Sequence, residues 1–309
     1  MAISADDPHP LTGDTLPVRI GHEFAGTVIE TGDGVDAIAE GDAVVVNPIL
    51  GCGECQYCLG GTYALCESVA NIGIHGRSGG FAERAVVPAD NVAVLPATVP
   101  IEYGALVEPL AIGMHAVRRS GLSTDDTAVV FGAGPIGMAV LQSAVAAGTS
   151  EVYLSEPRAA RRELAIRLGA TETIDPTEVD PVGHISATTG GGTHTAFEVA
   201  GDAETLTQAI RTTRKGGMTV IVSVYETAPT LDPNLVMMAE RDVLGSYGYR
   251  AGPSMRRGEF GTVIRMIQDG RLTIEPMITG RIALEDIVEQ GFERLRDPDS
   301  GHVKLLVEP

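Results

Sequence analysis

Chemistry in this chain gathers first around its cysteines. All four, Cys52, Cys55, Cys58 and Cys66, lie in one short stretch, 51–67. Two successive C-x-x-C steps with a nearby fourth thiol can close on one tetrahedral Zn²⁺ through four Zn–S bonds, which leaves no position open for a substrate. The stretch therefore reads as a structural zinc lobe. Disulfides or unrelated thiols are the alternatives. The clustering argues against unrelated thiols, and the opening residues 1–7, neither basic nor apolar, point to the cytosol, where thiols stay reduced. With every cysteine committed here, none remains for a second metal.

Oxygen and nitrogen ligands are more scattered. His22 and Glu23 stand side by side ahead of an apolar run. The imidazole suits zinc, and the carboxylate suits either a fourth ligand or a supporting hydrogen-bond acceptor. Glu108 sits among apolar residues in 105–111. An unpaired buried charge costs several kcal/mol, so Glu108 belongs at a helix surface or beside a positive partner such as zinc. His75 reads as a loop histidine and His115 as a packed helix residue.

A second kind of chemistry lies at 132–137. The apolar run 127–131 breaks into Gly132-Ala133-Gly134-Pro135-Ile136-Gly137 and opens a helix. The first glycine permits a tight turn, the second lets backbone approach a pyrophosphate, and the third seats the helix close to the strand. Pro135 suits the first helical turn, where no amide bond is lost. Free amides and the dipole there hold phosphate without a lysine. A second strand, 151–155, ends at Glu156, about 20 residues past the last glycine, where a carboxylate can take the ribose hydroxyls of an adenosine. That carboxylate favours NAD by repelling a 2′-phosphate. Arg158, Arg161 and Arg162 follow closely and could receive that phosphate, which makes NADP the alternative.

These residues require a scaffold with two characters. A short turn and then a strand within 20–30, with further short strands at 43–47, 84–87 and 91–95, predict a small β-rich unit after a loop at 7–17. A helix begins near residue 101. From 127 onward strands at 127–131, 151–155, 171–174, 194–199, 218–222 and 242–246 alternate with helices such as 203–214, which predicts a six-stranded doubly wound parallel sheet. Phe260, Val263, Ile264 and Ile267 recur at helical spacing, and a helix at 284–296 precedes a last strand at 302–307. The nearly uncharged stretch 128–148 approaches the length of a bilayer span. The glycine-proline break in its middle makes it a buried strand and helix instead.

With 309 residues the chain can bury a large core and hold two domains. Its net charge of -19 argues against nucleic acid and anionic membrane as partners. Small molecules are the better fit. Lys215 and Lys304 are the only lysines, against 41 acidic residues, a balance that suits a high-salt, halophilic cytoplasm, with an ordinary acidic protein as the plainer reading.

Taken in order, GHE at 21–23, GCGECQYC with the fourth cysteine, LVEPLA at 106–111, FGAGPIG at 131–137 and the glycine-serine strand end at Gly245 resemble the zinc-containing medium-chain alcohol dehydrogenases. The nearest look is of the polyol, sorbitol, threonine and 2,3-butanediol dehydrogenase branch. The resemblance implies an α/β fold, a Rossmann doubly wound parallel sheet inserted in a GroES-like β-rich catalytic domain. It implies a catalytic part at 1–110 and 253–309 around a dinucleotide-binding part at 111–252. It implies that His22, Glu23 and Glu108 serve catalytic zinc, that the four cysteines hold structural zinc, and that Gly132, Gly134, Gly137 and Glu156 serve the cofactor, with Pro135 and Ile136 of the same turn and Arg161 beside the acid as further cofactor-binding candidates from the residues themselves. It also implies reversible hydride transfer between NAD(P) and a secondary alcohol, a vicinal diol or polyol, by a homodimer or homotetramer. One departure stands out. That family's catalytic domain starts with strands and a Cys-Gly-Ser/Thr-Asp motif, and this chain begins after them, so a catalytically silent protein that still binds dinucleotide and zinc is the alternative. A zinc-independent reductase is a further rival, against which His22, Glu23 and Glu108 speak together.

Overall fold

The structure is a computed structural model that describes residues 6–76, 78–250, 258–297 and 299–309. Its first part carries five short strands: β1 (Ala25–Thr27), β2 (Ala43–Val46), β3 (Ile49–Leu50), β4 (Ala70–Asn71) and β5 (Val92–Val94). They form an antiparallel sheet in the order β1-β2-β5 and a two-stranded ribbon of β3 and β4. Val44, Val45 and Val46 are all buried. The strand expected at 84–87 does not form. Residues 83–86 are exposed, Val86 at 83%, and no strand among the described residues pairs with them. β-favouring composition does not make a strand without a neighbour to complete its ladder.

Helix α1 (Gln56–Leu59) lies inside the cysteine lobe, and α2 (Val107–Ser120) follows a 3₁₀ turn over Ile101–Leu106. Gly104 sits in that turn because the chain passes so close to β1 that a Cβ there would come 2.5 Å from the Ala25 side chain. Gly121, left-handed at φ 67°, ends α2 after Arg118 and Arg119, which complement the negative end of the helix.

The larger sheet is built by alternation: β6 (Thr127–Phe131), α3 (Pro135–Ala147), β7 (Glu151–Ser155), α4 (Ala159–Arg167), β8 (Glu172–Ile174), α5 (Pro181–Thr189), β9 (Thr193–Glu198), α6 (Ala203–Thr212), β10 (Thr213–Ile221), α7 (Asn234–Met237) and β11 (Asp242–Gly245). Every pairing is parallel and the order is β11-β10-β9-β6-β7-β8. The order reverses between β6 and β9, where the carboxyl ends of a doubly wound sheet open a crevice. Helix α6 stops two residues short of expectation. Thr213 is already opposite Thr193, and a register shift before Met218 is bridged by Thr213 Oγ1 and Thr219 Oγ1 at 2.9 Å. Helices α2 and α3 cross at Gly113, where a Cβ would lie 2.5 Å from the Ala139 backbone.

The C-terminal part has α8 (Gly258–Gln268), β12 (Ile278–Ala283) and β13 (Lys304–Glu308), the two strands pairing in parallel. Phe260, Val263, Ile264 and Ile267 are buried as their spacing requires. The single helix expected at 284–296 is instead a 3₁₀ turn, a wide π-type turn over Ile287–Glu293 and one α turn. The wider turn seats Gly291 against Ile282 and sets Phe292 edge-on to Phe81, with ring centres 6.0 Å apart. No helix among the described residues is long and apolar enough to cross a membrane, and 128–148 divides into strand, turn and helix. The expected division at 252/253 lies outside the described residues.

Candidate metal centres and dinucleotide cleft

The cysteine lobe is held by its own backbone. Cys55 N–H donates to Cys52 Sγ at 3.3 Å, while Cys52 N–H and Ser68 N–H donate to Cys66 Sγ at 3.3 and 3.4 Å. The four sulfurs lie within 4.8 Å of one another. Amides aimed at sulfur stabilise thiolate, and backbone donors of Cys58 and Glu67 bring the Cys55 thiol down to about 6. Burial pushes Cys58 up to about 12 and raises Cys66 as well. Four converging sulfurs with amide donors fit a closed tetrahedral zinc site.

The second set is assembled from distant parts of the chain. Gly21, at φ 101°, turns the backbone under residues 80–81; Gly80 N–H donates to Gly21 O at 2.7 Å and Phe81 N–H to Ile20 O at 3.1 Å. A side chain on Gly21 would meet Phe81 N at 2.8 Å, so glycine is required there. The turn delivers His22 and Glu23 to Glu108, in the first turn of α2, and the three offer ligand atoms within 4.8 Å of one another. Glu108 is not at the helix surface: it is buried at 5% exposure, and its Oε2 has no hydrogen-bond partner among the described residues. Burial alone raises its carboxyl to about 8. Burial, then the charge of Lys304, lowers His22. An orphaned buried carboxylate oxygen beside an imidazole and a second carboxylate fits a divalent cation. Lys304, at the start of β13, forms an ion pair with Glu23, and burial pulls its ammonium down to about 8. The last strand thus returns to the first part of the chain. His22, Glu23 and Lys304 open onto a cleft of about 1580 Å³.

The glycine turn behaves as its spacing implies. Gly132 has φ 104°, a Cβ on Gly137 would fall 2.0 Å from Gly132 O, and a Cβ on Gly134 would meet nothing within 4 Å. Gly132 and Gly137 are therefore fixed by the protein itself, whereas Gly134 keeps space open. Pro135 and Ile136 form the first turn of α3. Glu156, 5% exposed, accepts from Ala133 N–H through Oε2 at 2.9 Å and from Arg158 N–H through Oε1 at 3.1 Å. Arg161 donates to His302 O at 2.7 Å, and Arg162 pairs with Asp175 at 2.8 Å. His115, packed as expected, faces Glu259 at 3.5 Å; His75 accepts from Asn71 N–H at 3.1 Å.

Two family models match the chain, an alcohol dehydrogenase GroES-like domain over residues 2–97 and a zinc-binding dehydrogenase over residues 135–269. The (R,R)-butanediol dehydrogenase of Bacillus subtilis is 41% identical over 308 residues, covering 99% of this chain and 85% of that protein. The chain belongs to the zinc-containing medium-chain alcohol dehydrogenase family. It falls on the butanediol-dehydrogenase-like branch and is an oxidoreductase. The crystal structure of 2R,3R-butanediol dehydrogenase from B. subtilis superimposes on this dehydrogenase with a TM-score of 0.91, covering 100% of this chain and 86% of that one. A zinc-binding dehydrogenase from Sinorhizobium meliloti bound to NADP is 35% identical with a TM-score of 0.85, covering 96% and 84%. Membership implies zinc and a nicotinamide cofactor, and the fold is the GroES-like unit with its doubly wound sheet.

Several residues of these sites carry little or no signal in the sequence. Lys304 carried one signal, its rarity in an arginine-dominated chain. Asn47 and Tyr249 carried none: Tyr249, wholly buried near Glu108, donates to Asn47 Oδ1 at 2.8 Å and stacks on Phe260 at 5.5 Å.

Proposed function

We propose that this dehydrogenase oxidises a small vicinal diol, with NAD as hydride acceptor, and reduces the corresponding hydroxyketone in reverse. The convergence of His22, Glu23 and the orphaned Glu108 beside the cleft carries this reading. When bound, zinc supplies Lewis acidity toward the alcohol oxygen and the nicotinamide accepts hydride. His22 would hold the metal through its imidazole. Glu108, sealed from water, would hold it as carboxylate, and Glu23, restrained by Lys304, would ligate it or steady His22. Cys52, Cys55, Cys58 and Cys66 would hold a second zinc with no open position.

The cofactor would lie across the crevice, its pyrophosphate over Gly134 and the amides that open α3, with Pro135 and Ile136 in that turn. Glu156 supports NAD over NADP, because a buried carboxylate at the ribose repels a 2′-phosphate. Its arginine neighbours are engaged elsewhere, Arg162 with Asp175 and Arg161 with the His302 carbonyl. The division into 1–110, 111–252 and 253–309 is retained as part of this reading. Edge strand β11 and exposed Met237, Met238 and Tyr247 beside it support a homodimer or homotetramer. The acidic surface supports a salt-rich cytoplasm, with neither nucleic acid nor membrane as partner.

The experiment is NADH production from the stereoisomers of butane-2,3-diol by zinc-loaded protein. Turnover that a chelator abolishes and zinc restores, and that is faster with NAD than with NADP, supports the proposal. No turnover of any stereoisomer at saturating cofactor would sink it.

A further inference from the structure

Glu198, the last residue of β9, is 0% exposed and neither metal set uses it. It stands at the carboxyl edge of the sheet on the opposite side of the strand-order reversal from Glu156. Its Oε1 accepts from Ala200 N–H at 2.8 Å and Gly201 N–H at 2.9 Å and lies 2.9 Å from Thr205 Oγ1. Its Oε2 reaches across to the exit of β10, where it accepts from the Ser223 hydroxyl and from Tyr225 OH at 2.5 Å. All five donors are neutral. A buried carboxylate satisfied in this way is a strong local tie, because each bond is charge-assisted and losing the acceptor would deprive several part-buried donors at once.

The two loops so tied also touch directly, since a Cβ on Gly201, at φ 77°, would lie 2.8 Å from Val224 O. The β9 exit loop in turn backs the glycine turn, where a Cβ on Gly132 would lie 3.3 Å from Ala200. A dinucleotide laid across a doubly wound sheet keeps its adenosine on the side of the ribose-binding acid. Its other half would then lie over β9 and β10. We propose that Glu198 is the positioning residue for the nicotinamide half of the cofactor, joining the β9 and β10 exit loops into one wall through Ser223 and Tyr225. This deepens the cofactor reading above and rests on it.

The test compares NADH with ADP, which carries the adenosine and phosphates but no nicotinamide riboside, on the zinc-loaded enzyme. The double variant S223A/Y225F removes the cross-loop bonds and leaves the donors at 200–205 in place. It should weaken NADH by about tenfold and change ADP affinity by less than about twofold, the split that a half-site device predicts. E198Q retains both hydroxyls but removes the charge and exchanges one acceptor oxygen for an NH2, from which the Ser223 and Tyr225 hydroxyls can accept, so it should shift NADH the same way and by less. Equal losses for NADH and ADP, or an unchanged NADH affinity in E198Q when the double variant weakens it, would overturn the proposal. If wild-type protein bound neither probe, the cofactor reading itself would fail and the proposal with it.

Discussion

The two candidate metal sets of this dehydrogenase are built in opposite ways. Cys52, Cys55, Cys58 and Cys66 come from one short loop whose own amides point at the sulfurs. His22, Glu23 and Glu108 come from a glycine turn and from the start of a helix, and are brought together only by the packing of the whole first part. A local set fixes its loop, so losing it should cost stability. An assembled set is fixed by the fold around it, so losing it should cost metal and chemistry while the fold survives. The burial of Glu108 without a partner makes this contrast concrete: metal-free, that residue is a burden on the folded state.

The largest effect should follow removal of a lobe ligand. Cys66→Ser, at a buried sulfur, should lower stability by about 4 kcal/mol or more and release one zinc, as measured by denaturant unfolding and metal analysis. Glu108→Gln should do the reverse. Affinity at the assembled set should fall by more than the about 10–100-fold that loss of an outer-shell partner costs, while the metal-free protein unfolds no more easily than wild type. A Glu108→Gln protein that keeps its lobe zinc and is nonetheless as unstable as Cys66→Ser would erase the distinction between the two sets.

A third prediction concerns pH. Glu259 is held down to about 2 by His115 and the Arg250 amide against the opposing effect of its burial. A depressed acid stabilises the fold fully above its unfolded value, near 4.5, and loses that contribution as pH falls toward about 2. Glu259→Gln should therefore flatten the acid limb of the stability curve by on the order of 2 kcal/mol, with little change in metal content. The smallest effects separate glycines of one turn. Gly137→Ala, facing Gly132 O, should cost on the order of 1–3 kcal/mol of stability, whereas Gly134→Ala should cost less than about 1 kcal/mol yet weaken NADH.

The same contrast explains what could be read in the sequence. The cysteine lobe and the glycine turn are local, so spacing alone specified both, and the alternation of strand and helix specified the parallel sheet. Glu108 was visible as an anomaly, a carboxylate among apolar residues, but its orphaned state depends on the approach of 20–23 from elsewhere. The expected strand at 84–87 failed because a strand is a property of a pair. Lys304 and Glu198 stayed hidden for a related reason: their partners, Glu23 and Tyr225, meet them only through the fold.

The most direct test of the central claim is the number of zinc ions bound per purified chain, measured in salt high enough to screen its charge. Two per chain, one of them released on mutation of Glu108 without unfolding, is the expected result. One per chain, lost only with the cysteines, would contradict the assembled site at His22, Glu23 and Glu108 and leave a protein that binds dinucleotide and structural zinc alone.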